Sequence, residues 1–239
     1  MHFIEQGSGT CVLFLHGWGG NCYSFYQQFC ILSQTYHCIA VDFPGFGNTS
    51  PPDVPYTVKD YALELQTFLQ QQRIEKLHII AHSFGGRVAA VLFQQIPQKI
   101  LSMVFVDVAG VKPKRGLRYK TKVFQYKCTK WLVKHGLCEK QKLEKFGSKE
   151  YKELSPCMKQ TFIYVVNEDL KTYFQKITCP VLLVWGSQDK DTPLYMAKRL
   201  NKWIKNSKLV VFKNASHFSY LENPVRFESY VDAFLKGKL

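Results

Sequence analysis

The sequence predicts an α/β fold, with a mostly parallel central sheet and helices on both faces. Three observations carry this. Short apolar runs of strand length alternate along the chain with longer amphipathic stretches of helix length. Some of those runs are continuously apolar, as in Val181-Leu-Leu-Val-Trp185, which is the pattern of a strand buried on both faces. The 239 residues suffice for one well-buried domain and require no second core.

Taken in order, strands are expected at residues 2–6, 11–15, 36–41, 77–81, 101–107, 180–185 and 208–212. Helices are expected near 57–71, 84–96, 193–204 and 224–235. Pro193 and Pro224 stand where the last two begin, because proline at the first helical position loses no hydrogen bond. Between Val108-Ala-Gly110 and Thr178-Cys-Pro180 the strand pattern disappears for about 65 residues. That is too long for a bare loop in a compact domain, so this stretch is expected to carry helices of its own. There is no internal repeat and no low-complexity tract.

The run Leu77-His-Ile-Ile-Ala-His-Ser83-Phe-Gly-Gly86 ends an apolar strand in a serine flanked by residues of almost no bulk. A serine exposed on a strained strand-to-helix turn, the nucleophile elbow, needs such neighbours so that the backbone can turn that tightly. Ala81 stands where the usual pattern has glycine, one methyl group more. A serine hydroxyl is a weak nucleophile near neutral pH, so a histidine must take its proton and a carboxylate must orient that histidine. Both are found after strand-like runs: Asp189 after Pro180-Val-Leu-Leu-Val-Trp-Gly-Ser-Gln, and His217 after Leu209-Val-Val-Phe-Lys-Asn-Ala-Ser. His82 adjoins the serine and is given no role.

With these motifs the chain resembles the α/β-hydrolase fold superfamily over most of its length, in the serine, acid, histidine order of that family. Phe14-Leu-His-Gly-Trp-Gly-Gly20 is similar to its oxyanion loop, Val41-Asp-Phe-Pro-Gly-Phe-Gly47 to its aspartate-proline-glycine loop, and Trp185-Gly-Ser-Gln-Asp189 to its acid loop. The resemblance implies Ser83 as nucleophile, His217 as general base and then acid, and Asp189 as orienting acid. Asp107, ending the strand that the family counts as its sixth, and Asp191 compete for the last role. It implies an oxyanion hole from the backbone N–H groups of Trp18 and Phe84. His16 and Gly17 would support that loop, and Asp42 would tie down its own. It also implies that residues 112–175, inserted after the sixth strand, form a helical cap over a core of 1–111 and 176–239. Neither a cofactor nor a metal is called for.

Composition narrows the rest. Met1-His-Phe-Ile-Glu5 lacks the basic and apolar start of a signal peptide, and no run reaches the roughly 18 apolar residues of a membrane span. A cytoplasmic location and no membrane span are therefore the expectation. The eight cysteines form no Cys-x-x-Cys pair, which reads as reduced thiols, Cys11 and Cys179 acting as small hydrophobes. No cysteine occupies the elbow. The net charge is +14, and residues 112–152 hold +11 of it, with fourteen Lys and Arg against Glu139, Glu144 and Glu150. Such a run serves as a solvated helical face or as a field drawing anionic substrates, nucleic acid or membrane surfaces. Aromatics interleave there, among them Tyr119, Phe124, Tyr126 and Trp131, yet no nucleic-acid motif accompanies them.

The reading is a serine hydrolase acting on a small carboxylic ester through an acyl-enzyme on Ser83, its partner a small acyl substrate that the basic run would favour in anionic form. Thioesters, amides, peptides with a free N-terminus and carbon–carbon bonds of ring-fission products are alternatives within the fold. The sequence Ser-Phe-Gly-Gly-Arg87 is similar to the carbon–carbon hydrolases. A non-catalytic ligand receptor is the alternative of another class. No specific nucleic acid is expected, and the oligomeric state stays open.

Overall fold

The structure is a computed structural model that describes residues 1–113, 116–139, 141–142 and 149–239. Of the basic segment, Lys114, Arg115, Lys140, Glu144, Lys145 and Phe146 lie outside the described residues. So do the side chains of Arg118, Tyr119, Lys120, Lys122, Lys149 and Glu150.

Seven strands form one sheet: β1 (Phe3–Gln6), β2 (Cys11–Leu15), β3 (His37–Val41), β4 (Leu77–His82), β5 (Ile100–Val106), β6 (Val181–Gly186) and β7 (Ser207–Phe212). Their order is β1-β3-β2-β4-β5-β6-β7, with β1 antiparallel to β3 and every other pair parallel. Side chains alternate across it and both faces are buried, as parallel sheets require. Leu13, Ile79, Phe105 and Leu183 pack on one face, and Phe14, Ile80, Val104 and Val184 on the other.

On the first face lie α2 (Val58–Gln71), α3 (Phe84–Gln95) and α8 (Tyr195–Trp203). On the second lie α1 (Tyr26–Leu32) and, after the short α9 (Ser219–Glu222), α10 (Pro224–Leu235). Thr57 caps α2 in a reciprocal capping box with Asp60. Pro224 opens α10 as expected, whereas α8 starts two residues beyond Pro193, whose carbonyl accepts the Met196 N–H at 2.7 Å. The seven-residue α1 had no sequence signal beyond Phe29 and Leu32, the apolar pair that it buries.

Between β5, the sixth strand in the family's count, and β6 run α4 (Leu117–Lys134), α5 (Lys149–Glu153), α6 (Pro156–Asn167) and α7 (Lys171–Gln175). The two ends of this segment differ. Among its described side chains α4 buries none, and Phe124 and Trp131 are more than half exposed. In contrast α6 and α7 send Met158, Val165 and Phe174 into the main core. Three polar ties add to this: Thr161 Oγ1 accepts the Tyr56 N–H at 2.9 Å, Glu168 accepts the Val58 N–H at 3.2 Å, and Arg87 Nη1 donates to the Val165 carbonyl at 2.8 Å. Among the described residues no helix is long and apolar enough to cross a membrane.

Candidate active site

Because β2, β4, β6 and β7 are parallel, their carboxyl ends share one edge of the sheet, and the loops leaving that edge meet. Ser83 follows β4 and caps α3 with φ 47° and ψ −108°, in the region that disfavours a side chain. Surrounding bonds hold the turn. Ser83 N–H donates to the Val106 carbonyl at 3.1 Å, and the Ser83 carbonyl accepts the Ala109 and Gly86 N–H groups at 3.0 and 3.2 Å. Gly85 is obligatory, since a Cβ there would stand 2.5 Å from the Leu15 carbonyl oxygen of β2. Ala81, with its extra methyl group, fits fully buried in the core.

His217 Nε2 lies 3.0 Å from Ser83 Oγ, and His217 Nδ1 lies 2.8 Å from Asp189 Oδ2. The Asp189 carboxylate is completely buried, and 13 % of the His217 side chain remains exposed. Oδ1 of Asp189 accepts the N–H groups of Asp191 and Thr192 at 2.8 and 2.9 Å, and the Thr192 hydroxyl lies 2.6 Å from Oδ2. Burial opposes charge on Asp189, but bonds from His217 and Thr192 outweigh it and hold the carboxyl below its ordinary range. Burial likewise opposes the His217 cation, and the bond to Asp189 and its charge overcome this, so the imidazole titrates above its ordinary 6.5. With Nδ1–H committed to a carboxylate, Nε2 is left to accept a proton from Ser83.

The structure separates the three candidate acids. Asp107 has φ 46° and is wholly buried, and its oxygens accept Gly186 N–H at 2.8 Å, Ser219 Oγ–H at 2.5 Å and Ser219 N–H at 3.3 Å. It is bonded to Gly186, which ends β6 ahead of the Asp189 loop, and to Ser219, two residues after His217, and not to the imidazole. Burial pushes its carboxyl up to about 7, against those same bonds. Asp191 is exposed and contributes a backbone N–H to Asp189.

The loop after β2 lies against the elbow. His16 Nδ1–H donates to the Gly17 carbonyl at 2.7 Å and Nε2 accepts the Phe43 N–H at 3.1 Å, fixing a neutral ring that burial pulls down to about 4. At Gly17 a Cβ would meet His82 Nδ1 at 2.7 Å and Ser83 Cβ at 3.3 Å. Trp18 packs edge-on against Phe46, Phe84 and Phe162 at centroid distances of 4.9, 5.4 and 5.1 Å. Among the described residues neither the Trp18 nor the Phe84 backbone N–H has a hydrogen-bond acceptor. Asp42 Oδ1 accepts Cys22 N–H at 2.6 Å and Oδ2 accepts Asn48 N–H at 2.9 Å, tying two loops together. Burial opposes its charge, yet these bonds keep the carboxyl below its ordinary range.

Sequence reasoning missed two participants. His82 is buried and donates Nε2–H to the His217 carbonyl at 2.8 Å, its ring 4.8 Å from the His217 ring; burial, aided by the His217 charge, pulls it down to about 3. The signal available was only its position beside Ser83, because the contact spans 135 residues. Thr192 follows Asp189 by three, the spacing at which an aspartate side chain collects backbone N–H groups and a hydroxyl.

Ser83, His217, Trp18 and Phe84 line one cavity of about 790 Å³, which Leu154, Phe162, Val165 and Val166 of the segment between β5 and β6 also line. Among the aromatics of that segment, Phe162 lines the cavity, Phe174 is core, and Trp131 and Tyr164 are exposed. A cleft of about 310 Å³ between α1 and α10 includes none of the candidate residues.

The model of the family described as alpha/beta hydrolase fold matches residues 10–125 and 114–224. The dihydrolipoyllysine-residue acetyltransferase component of the acetoin cleaving system of Cupriavidus necator is 26 % identical over 99 % of this chain and 67 % of its own length. An esterase from Exiguobacterium antarcticum superposes with TM-score 0.79 at 23 % identity, covering 98 % of this chain and 95 % of its own. A meta-cleavage product hydrolase from Pseudomonas fluorescens superposes with TM-score 0.74 at 21 % identity, covering 99 % and 94 %.

Proposed function

Since the chain belongs to the alpha/beta hydrolase fold family, we propose that it is a serine hydrolase that cleaves a small carboxylic ester through an acyl-enzyme on Ser83. The observation that carries this reading is the hydrogen-bonded series Ser83 Oγ, His217 Nε2, His217 Nδ1 and Asp189 Oδ2, at 3.0 and 2.8 Å, opening onto the 790 Å³ cavity.

In this reading His217 Nε2 takes the Ser83 proton as Oγ attacks the ester carbonyl. The resulting oxyanion is held by the unengaged N–H groups of Trp18 and Phe84, and Asp189 stabilises the imidazolium. His217 then returns the proton to the leaving alcohol, and a water activated by the same Nε2 releases the acid. His16, His82 and Asp107 are positioning residues: His16 braces the Trp18 loop, His82 holds the His217 carbonyl, and Asp107 joins the acid and histidine loops. Residues 112–175 act as the cap, with the second half of that segment anchored on the core and contributing Leu154, Phe162, Val165 and Val166 to the lining of the Ser83 cavity.

Turnover of 4-nitrophenyl acetate by the wild-type protein, lost in Ser83→Ala, is the expected result. Absence of turnover, or its persistence in that variant, favours a ligand receptor or a different nucleophile. A panel of matched esters, thioesters, anilides and a ring-fission diketone ranks the bond types, with the ester expected first.

A further inference from the structure

The wall of the Ser83 cavity contains a buried cation that the proposed chemistry leaves unused. Arg87 is 8 % exposed and lines the cavity, as does Val165, whose carbonyl it engages. On α3 Arg87 stands four residues after the N-cap Ser83, just over one turn or about 6 Å along the axis. Helical side chains lean toward the helix N-terminus, which on α3 is the Ser83 end.

The guanidinium carries five N–H donors. Nη1 reaches the Val165 carbonyl at 2.8 Å, and among the described residues no other acceptor is in contact. No carboxylate lies within ion-pairing distance of it among them either. Glu168 acts on it only at longer range, its carboxylate engaged by the Val58 N–H. Burial lowers the guanidinium only to about 10, so it stays charged near neutral pH. A buried cation with spare donors and no counter-ion is costly unless a bound anion completes it. The planar fork of arginine suits a carboxylate, which two parallel N–H groups engage together.

We propose that Arg87 binds a carboxylate of the substrate, so that the preferred ester is the monoester of a dicarboxylic acid whose free carboxylate sits about one helical turn from the scissile carbonyl. This rests on the hydrolase reading and names the substrate class for it.

The test compares mono-4-nitrophenyl adipate with the neutral 4-nitrophenyl hexanoate by kcat/KM. Wild-type protein is expected to prefer the adipate ester at least tenfold. That ratio, which general damage to the site leaves alone, is expected to fall at least tenfold in Arg87→Met and to recover in part in Arg87→Lys. Because Arg87 is buried, the preference is expected to persist in 1 M sodium chloride, where surface charges are screened within about 3 Å. A preference abolished by salt belongs to the exposed lysines and overturns the assignment. So does a ratio near one, or a ratio unchanged in Arg87→Met.

Should Arg87→Met fail to fold, the wild-type protein answers alone. Free adipate is expected to slow fluorophosphonate labelling at least fivefold more than adipamide at equal concentration, and equal protection overturns the proposal. Failure to hydrolyse either ester or to label at all refutes the hydrolase reading itself, whereas rapid hydrolysis without preference refutes only the role of Arg87.

Discussion

Replacing Asp189 by Asn tests the proton relay at its most constrained point. Oδ1 accepts two backbone N–H groups, from Asp191 and Thr192, so the asparagine carbonyl must take that place. Its NH₂ group is then directed at His217 Nδ1, 2.8 Å from the replaced oxygen. A donor facing Nδ1 forces the proton onto Nε2, the nitrogen that must accept from Ser83. The loss expected from this wrong tautomer is about ten-thousandfold in kcat, as for the equivalent change in other triads. At 1.36 kcal/mol per decade that is about 5.4 kcal/mol of transition-state stabilisation. Asp107→Asn leaves the imidazole partner intact and disturbs only the loops held through Gly186 and Ser219, so its cost should stay within about a hundredfold. Steady-state kinetics on one ester, with circular dichroism to verify folding, compares the two. A larger loss for Asp107→Asn, or more than a tenth of wild-type activity in Asp189→Asn, refutes the reasoning.

Gly17→Ala should lower kcat about a hundredfold with the fold retained, because its methyl group meets His82 Nδ1 and Ser83 Cβ and shifts the Trp18 N–H; kinetics and thermal melting measure both, and unchanged kcat counts against the oxyanion assignment. The pH dependence of kcat/KM should show an acid limb above 6.5: His217 must be neutral to accept a proton, its pKa in the folded protein is raised, and activity is therefore lost as pH falls through that raised value. A limb below 6.5 contradicts the Asp189 pairing. His82→Ala removes the donor to the His217 carbonyl and leaves a cavity, so a loss of about 2 kcal/mol or more in stability should accompany reduced kcat, seen by chemical denaturation and kinetics.

Much of this was legible in the sequence, for a definite reason. The strands β4, β6 and β7 are marked by apolar runs, and Ser83, Asp189 and His217 each follow one, so parallel topology alone brings them to one edge. Small residues after Ser83 mark the turn because bulk cannot fit there, as Gly85 against β2 demonstrates. The roles of His82 and Arg87 were hidden, because each is set by a contact with a backbone carbonyl distant in the chain, at His217 and Val165. Local periodicity cannot encode such a contact. The short α1 escaped for want of length, and the division of residues 112–175 into an α4 whose described side chains stay out of the core and a core-anchored α6 and α7 depends on tertiary packing that composition does not record.

The account stands on Ser83 being an activated nucleophile, and labelling with a fluorophosphonate followed by intact-mass and peptide mass spectrometry examines that alone, without knowledge of the substrate. A single phosphonyl adduct on the peptide containing Ser83, absent in Ser83→Ala and strongly slowed in Asp189→Asn, is the predicted result. An unlabelled wild-type protein, or an adduct carried by another residue, contradicts it.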